Sequence, residues 1–332
     1  MKLGRISSLA IASVMTVAVA VFGFSSAPAF AKFPNKPVKL QVPFKPGGGT
    51  DRSARLFAPF LSKQLGVPVK VINVGGAGGW VSWAQVYKWD AKKQDHMLAY
   101  VNVPHIFKMH DPRNKRTEKI ENFNFVSGHS MDPCIWAIRE GDPRFNDLKS
   151  FIAYATKNPN KIVMSTTVVG SDDHQGIAFA EKFIKGFKVS KVYANSDAKK
   201  LREVIGKHTD AVAGNVGYYI PYMLESKIKA IAVLDTKRSP FLPTVPTFFE
   251  ATGVQNISFA GRIFAVAKGL PKKKYDIYAN AIKMAMDDPN YALKELRNGN
   301  GLWPLKGDKL KAVINETSDG VKKVKYWEVE GN

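Results

Sequence analysis

Residues 47–51 read Gly-Gly-Gly-Thr-Asp, two residues after the apolar run VPF and just before a stretch of helical periodicity. Consecutive glycines lose the most backbone entropy on folding, so they stand where the main chain must approach something closely. The start of a helix offers unpaired N–H groups and the positive end of its dipole, which attract anions. Gly47, Gly48 and Gly49 can therefore close amides around a carboxylate or phosphate, and Thr50 adds a hydroxyl. Asp51 has the wrong charge for gripping an anion. Its carboxylate reads as a cap on helix N–H groups, or as an acceptor for a bridging water or a ligand hydroxyl. A plain strand-to-helix turn would explain the same glycines if they stood alone.

They do not stand alone. Thr166, Thr167, Gly170, Ser171 and His174 form a second stretch of small hydroxyls and glycine ahead of a helix, with Ser171 or Asp172 as its N-cap. His174 can donate to an anion or simply pack. Asn215, after Gly214, is a third candidate, with a turn residue as its plainer explanation. Arg262 precedes the apolar stretch IFAVA and can pair a second carboxylate in bidentate fashion, or else form an ion pair at a hinge or surface.

Catalytic patterns fail where these binding patterns succeed. GHSMD, residues 128–132, misses the final glycine of the nucleophile elbow and is followed by Pro133 and a strand-like run rather than a helix. GGAGGW at 75–80 lacks the last glycine of the dinucleotide fingerprint, and no phosphate-binding P-loop or H-E-x-x-H is present. The 6 histidines never pair at metal-ligand spacing with Cys or Glu in support. No catalytic residue, metal site or cofactor is assigned, and a hydrolase acting on carboxylate esters lacks both nucleophile and base.

The elements that must hold these loops alternate. Strands are expected at residues 38–44, 67–74, 98–103, 134–138, 162–165, 191–193, 211–213, 228–234 and 263–266. Helices are expected after the glycine loops and at 199–205, 216–224, 272–286 and 292–297. Pro59 predicts a kink or early end in the first helix. Strand, loop and helix in repetition argue for βαβ units and parallel sheets, whose ligands sit beyond the carboxyl ends of strands.

The ends and the composition set the compartment. Lys2 and Arg5, an apolar run over residues 6–24 and Ala29-Phe30-Ala31 read as an export signal cleaved after Ala31, leaving 332 − 31 = 301 residues. The formal charge of +21 becomes +21 − 2 = +19 without the signal. Its lysines are scattered in twos and threes, with no basic arm or nucleic-acid motif, which excludes nucleic acid as partner. Cys134 is the single cysteine, so the exported chain relies on its core and not on a disulfide.

The order of these motifs resembles the Bug-type substrate-binding proteins of tripartite tricarboxylate transporters. The resemblance runs through FPNKPVKLQVPFKPGGGTD, LSKQLGVPVKVINVGGAGG, VGSDDH, IKAIAVLDTKRSPFLPTVPTFFEATG and GRIFAVAKGLP. It implies an α/β, two-lobed periplasmic binding protein of the type II Venus flytrap kind, each lobe a mainly parallel sheet flanked by helices. Residues 32–127 plus 258–332 would form one lobe and 128–257 the other, with crossings near 125–130 and 257–262. By position, Phe44, Gly47, Gly48 and Asp51 match the first ligand loop, Thr167, Gly170 and Ser171 the second, and Gly214-Asn215 a further ligand-facing turn. Val168 departs from the family's usual glycine, and Trp80 stands where Asn is common, which places an aromatic wall near the cleft. The resemblance implies a monomer that delivers a small di-, tri- or aromatic carboxylate to membrane transporter subunits. A same-fold protein serving a sensory or signalling partner stays open at this point.

Overall fold

Short runs of β-branched and apolar residues become strands, and the stretches between them become helices, in the alternating order the sequence implies. The computed structural model describes residues 33–194 and 196–329; the expected export signal lies outside them. The strands are β1 Val38–Val42, β2 Val69–Asn73, β3 Met97–Val103, β4 Asn124–Arg139, β5 Val163–Thr166, β6 Ser190–Tyr193, β7 Ala211–Asn215, β8 Ile228–Leu234, β9 Phe259–Val266 and β10 Gly301–Leu302. Helices α1 Gly49–Leu65, α2 Trp80–Tyr87, α3 Leu148–Lys157, α4 Asp172–Phe183, α5 Asp197–Ile205 and α6 Val216–Leu224 come first in chain order. Then follow α7 Phe248–Thr252, α8 Lys272–Met286, α9 Pro289–Arg297, α10 Gly307–Val324 and α11 Tyr326–Val329.

The sheet order is β2-β1-β3-β9-β4-β7-β5-β6, with β8 and β10 also pairing β4. Strands linked through helices are parallel: β1 with β2 and β3, and β5 with β6 and β7. Between these groups run β9 and β4, antiparallel to each other and to their other neighbours. The result is a mixed α/β sheet; the parallel units expected from the sequence are its flanks. β4 is the joint. Residues 124–133 pair with β9, whereas residues 134–139 pair with β7 and β8. Pro133 stands at the changeover, where a residue without an N–H costs no ladder bond. GHSMD lies inside this long strand, so Ser130 is not presented at a strand-to-helix elbow.

Each group of strands has its own apolar packing. Val38, Leu40, Ala54, Phe57, Leu61 and Ile282 bury β1, α1 and α8 together, and Trp83, Val101, Ile263 and Ile314 join α2, β3, β9 and α10. Trp136, Phe151, Ile177, Phe187 and Phe248 form the corresponding core around the second part of β4. Burial of each Val, Leu, Ile or Phe among them contributes about 1.5–3 kcal/mol. α1 runs unbroken through Pro59 to Leu65 and stops at Gly66, whose φ of 70° is left-handed. Pro59 and Arg55, whose carbonyl would have been its partner four residues back, both face solvent, where water can take the freed oxygen. Three short 3-10 turns between residues 105 and 122 and the whole of α10 were not anticipated from the sequence. Among the described residues, no helix is long and apolar enough to cross a membrane.

Candidate functional site

Gly47 has φ of 85°, a conformation only glycine takes cheaply, and it turns the chain from β1 into α1. Asp51 closes this turn from behind. Its Oδ2 accepts from the Gly47 amide at 2.8 Å and from Arg55 Nε at 2.9 Å, and its Oδ1 accepts from Asn73 Nδ2 at 2.8 Å. Burial works against the charge, but these hydrogen bonds outweigh it and hold the carboxyl below its usual range. Gly48 is the N-cap, and no side chain caps the helix, so its first amides remain open to an anion. The Thr50 hydroxyl accepts from Asn102 Nδ2 at 3.0 Å.

Arg262 meets this helix end. It is 3% exposed on β9 and donates from one terminal nitrogen to Ser130 Oγ at 3.1 Å, while its Nε has no hydrogen-bond partner. A side chain on Gly49 would start 3.2 Å from the other terminal nitrogen. Among the described residues no carboxylate lies within ion-pair distance of this guanidinium. An uncompensated buried charge is costly, so Arg262 is a strong point of attraction for an anion.

Helix α1 and Arg262 form one wall of a narrow cavity of about 30 Å³, together with Arg52, Ser53 and the Asn298–Asn300 stretch before β10. Asp132, Asn215, Gly217 and Tyr218 form the facing wall, with Asp197 beside them. Arg52 lies over the Tyr218 ring at 5.0 Å and spans the two walls. Asp132 is 4% exposed, and its Oδ1 accepts from the Gly217 amide at 3.1 Å. Burial pushes its carboxyl up to about 7, with Arg262 and the Gly217 amide offsetting only part of the rise. The space holds about one water, so a larger ligand enters only if the walls part. A wider groove of about 400 Å³, lined by Glu181, Lys188, Lys191 and their neighbours, meets the second loop only at Val169 and includes neither Arg262 nor any residue of the first loop.

The second loop is built differently. Asp173 Oδ1 accepts from Thr167 Oγ1 at 2.5 Å and Ser171 Oγ at 2.7 Å, and Oδ2 accepts from the Thr167 amide at 3.0 Å. Lys200 Nζ, completely buried, donates to the same Oδ2 at 2.6 Å and lies 3.0 Å from Asp197 Oδ1. Burial alone would neutralise Asp173; Lys200, Ser171 and Thr167 reverse this and hold it well below the usual carboxylate range. The loop's donors thus close on a carboxylate of the chain's own.

A sequence model of the tripartite tricarboxylate transporter family receptors matches residues 53–325. The chain belongs to that receptor family. It is 30% identical over 285 residues to the "UPF0065 protein in gbd 5'region" of Cupriavidus necator, covering 83% of this chain and 84% of the relative. The periplasmic binding protein BugD superposes with a TM-score of 0.75 at 24% identity, over 89% of this chain and 99% of that one. An R. palustris protein, Rpa4515, solved with adipate, superposes with a TM-score of 0.77 at 20% identity, over 90% and 98% of the two chains. The Bug-type resemblance and the α/β periplasmic binding protein fold expected from the sequence are both found.

Of the receptor residues singled out from sequence, Gly49, Asn215 and Arg262 line the cavity, and Gly47, Gly48, Thr50 and Asp51 belong to the same turn as Gly49. Asn215 is not in a turn: with φ of −109° and ψ of 146° it ends β7 in extended form, and its Nδ2 donates to Asp172 Oδ2 at 2.7 Å and the Asp132 carbonyl at 3.0 Å. Phe44, Thr166, Thr167, Gly170, Ser171 and His174 are not in its walls. Phe44 packs edge-on to Trp83 and His105. Thr166 is buried, Gly170 donates its amide to His174 Nδ1 at 3.1 Å, and the His174 ring packs edge-on against Tyr326. Trp80 is 2% exposed, inside the core under Arg116 at 4.5 Å, and forms no wall of the cleft. Sequence reasoning missed Asp132, Gly217, Tyr218 and Asn300. Asp132 was in view only as the residue that spoiled a hydrolase motif; an acid beside a strand proline had no pattern to mark it.

Proposed function

We propose that this receptor captures a small carboxylate between the start of α1 and Arg262 and hands it to the membrane subunits of a tripartite transporter. The observation that carries this is the buried Arg262, with no carboxylate of the described residues in ion-pair distance and no hydrogen-bond partner on its Nε, beside an uncapped helix N-terminus at Gly49. Because the two donor sets converge within one cavity, they serve one carboxylate and not two separate ones. The adipate bound to Rpa4515 supports the same ligand class. The protein works in the periplasm after cleavage behind Ala31, binds without transforming its ligand, and consists of two lobes, residues 32–127 plus 258–332 and residues 128–257. The cavity closes and opens as the lobes hinge where β4 leaves β9 for β7 and β8 at Pro133, a few residues beyond the expected boundary at 128, and at Ser258.

The test is a melt of the chain from Lys32 onward with mono-, di-, tri- and aromatic carboxylates, and phosphate and sulfate as controls. A ligand at 100 times its Kd adds about 2.7 kcal/mol. A rise with one carboxylate class that Arg262→Ala abolishes is expected. Equal response to sulfate and carboxylates, or a response that Arg262→Ala leaves intact, overturns the proposal.

A further inference from the structure

The layer behind Arg262 carries a charge of its own. Ser53, near the start of α1, lines the cavity together with Arg262, and its hydroxyl donates to Glu295 Oε1 of α9 at 2.7 Å. Glu295 is completely buried, and its Oε2 has no hydrogen-bond partner. The polar groups packed around it are neutral. The Tyr100 hydroxyl meets His129 Nδ1 at 2.8 Å, and His129 Nε2 meets the Tyr291 hydroxyl. Burial pushes the His129 imidazole well below its ordinary value; burial, and after it Glu295, pushes both tyrosine hydroxyls well up. Arg262 acts on the same two hydroxyls in the opposite sense, so both charges reach this cluster although they form no ion pair with each other. Asp132 also feels Arg262, but burial pushes its carboxyl up to about 7, so at neutral pH it offsets the guanidinium only in part.

A carboxylate in contact with Arg262 would take the place a ligand needs. One set a layer behind balances the guanidinium and leaves that place open. Opposite charges out of contact still attract strongly in a buried site, where the effective dielectric is far below that of water. The same field opposes the ligand, whose carboxylate arrives beside Arg262 as a second negative charge near Glu295. We infer that Glu295 is the counter-charge of Arg262 and sets the receptor's hold on its carboxylate: it steadies the guanidinium when the site is empty and weakens the grip when the site is full, so that the ligand can be released. This rests on the carboxylate-receptor reading above and adds how the same site lets go. Glu295 acts through Arg262 and Ser53 and does not touch the ligand.

Glu295→Gln keeps the shape of the side chain and an acceptor for Ser53, and removes only the charge. The experiment is calorimetric titration of wild type and this variant with acetate, succinate, citrate and benzoate. The expected result is that the variant binds the acid held by wild type about tenfold more tightly, the scale of removing a like charge at reduced dielectric. A residue that merely supports the fold would weaken binding when changed. Unchanged or weaker binding by the variant overturns the inference but leaves the carboxylate reading standing. No heat from wild type with any of the four acids overturns both.

A second measurement needs no ligand. Denaturant unfolding of wild type, Arg262→Met, Glu295→Gln and the double variant gives the coupling between the two charges. Each single change leaves the other charge buried without its opposite, whereas the double change leaves neither. The double variant should keep an unfolding equilibrium at least about tenfold more favourable to the fold than the two single effects combined would allow. A double variant that folds where a single one does not is the same result in extreme form. Independent effects of the two changes overturn the inference.

Discussion

The Gly47–Asp51 loop and the Thr166–His174 loop are nearly interchangeable as text, since both set glycine and hydroxyls before a helix with an acid in its first turn. In the fold the two acids do opposite things. Asp51 binds backward, to Gly47, Arg55 and Asn73, and leaves the front of α1 facing Arg262. Asp173 binds inward, taking the Thr167 amide, two hydroxyls and Lys200. Composition marks a loop that can hold an anion, but the direction of the first-turn acid decides whether that anion is the ligand or part of the chain.

The comparison is sharpest where each acid loses its cation. Lys200→Met leaves Asp173 buried without a counter-charge and should cost about 3–5 kcal/mol in denaturant unfolding. Arg55→Ala should cost under about 1 kcal/mol, because Arg55 is half exposed and Gly47 and Asn73 still hold Asp51. Acid shows the same asymmetry. Asp173 has its folded value depressed, so its stabilisation is present above the unfolded carboxylate value and is lost as pH falls through the folded one. Wild type should therefore lose more stability than Lys200→Met on acidification. Equal costs for the two cation deletions would break the comparison.

Ligand binding tests it from the other side. Arg262→Ala should weaken carboxylate binding by about 30-fold or more, the scale of removing one partner from a buried charged contact. Ser171→Ala should leave affinity within about threefold, and cost about 1 kcal/mol of stability as a lost N-cap. If Ser171→Ala weakens binding as much as Arg262→Ala in the same titration, the second loop does reach the ligand and the reading of Asp173 is wrong.

Much of this was legible beforehand, for identifiable reasons. β8 was expected at residues 228–234, the bounds it has, because a β-branched run between turn residues leaves few registers open. The turn at the first glycine loop was legible because a glycine run ahead of helical periodicity points to the start of a helix, whereas Arg262, expected just before a strand, lies within β9. What could not be read was pairing across the sheet. Nothing local shows that β4 changes partners at Pro133, and this changeover is what turns Asp132 toward Gly217. The Asp173 contacts were equally hidden, since Lys200 reaches it from 27 positions away. Asn215 failed in the opposite way: a Gly-Asn pair suits a turn, but here the ladder to Cys134 holds it extended.

A smaller contrast separates the loop glycines. Gly47 and Gly170 both have positive φ, at 85° and 75°. Nothing lies within 4 Å of a Cβ added at Gly47, so Gly47→Ala carries only the left-handed strain, about 1–2 kcal/mol. At Gly170 the new atom would meet the Tyr326 hydroxyl at 2.7 Å and Lys108 Cγ at 2.8 Å, so overpacking adds about 1–3 kcal/mol to the same strain. The closed loop should thus tolerate alanine less well than the open one in thermal melts, and the reverse order would count against the packing described.

Gly49→Ala should have the smallest effect on stability and the most informative sign. Gly49 is the first residue of α1 and needs no positive φ, so alanine there should stabilise the helix by up to about 1 kcal/mol. Its Cβ would sit 3.2 Å from a terminal nitrogen of Arg262, tight enough to shift the guanidinium by a few tenths of an ångström. Such a shift spoils a bidentate contact while leaving the fold intact. The expected outcome is a protein that melts at the same temperature or higher, yet binds its carboxylate more weakly. Weakened binding together with a lower melt would mean that Gly49 is there for the turn. Undiminished binding would mean that the α1 amides and Arg262 do not share one anion.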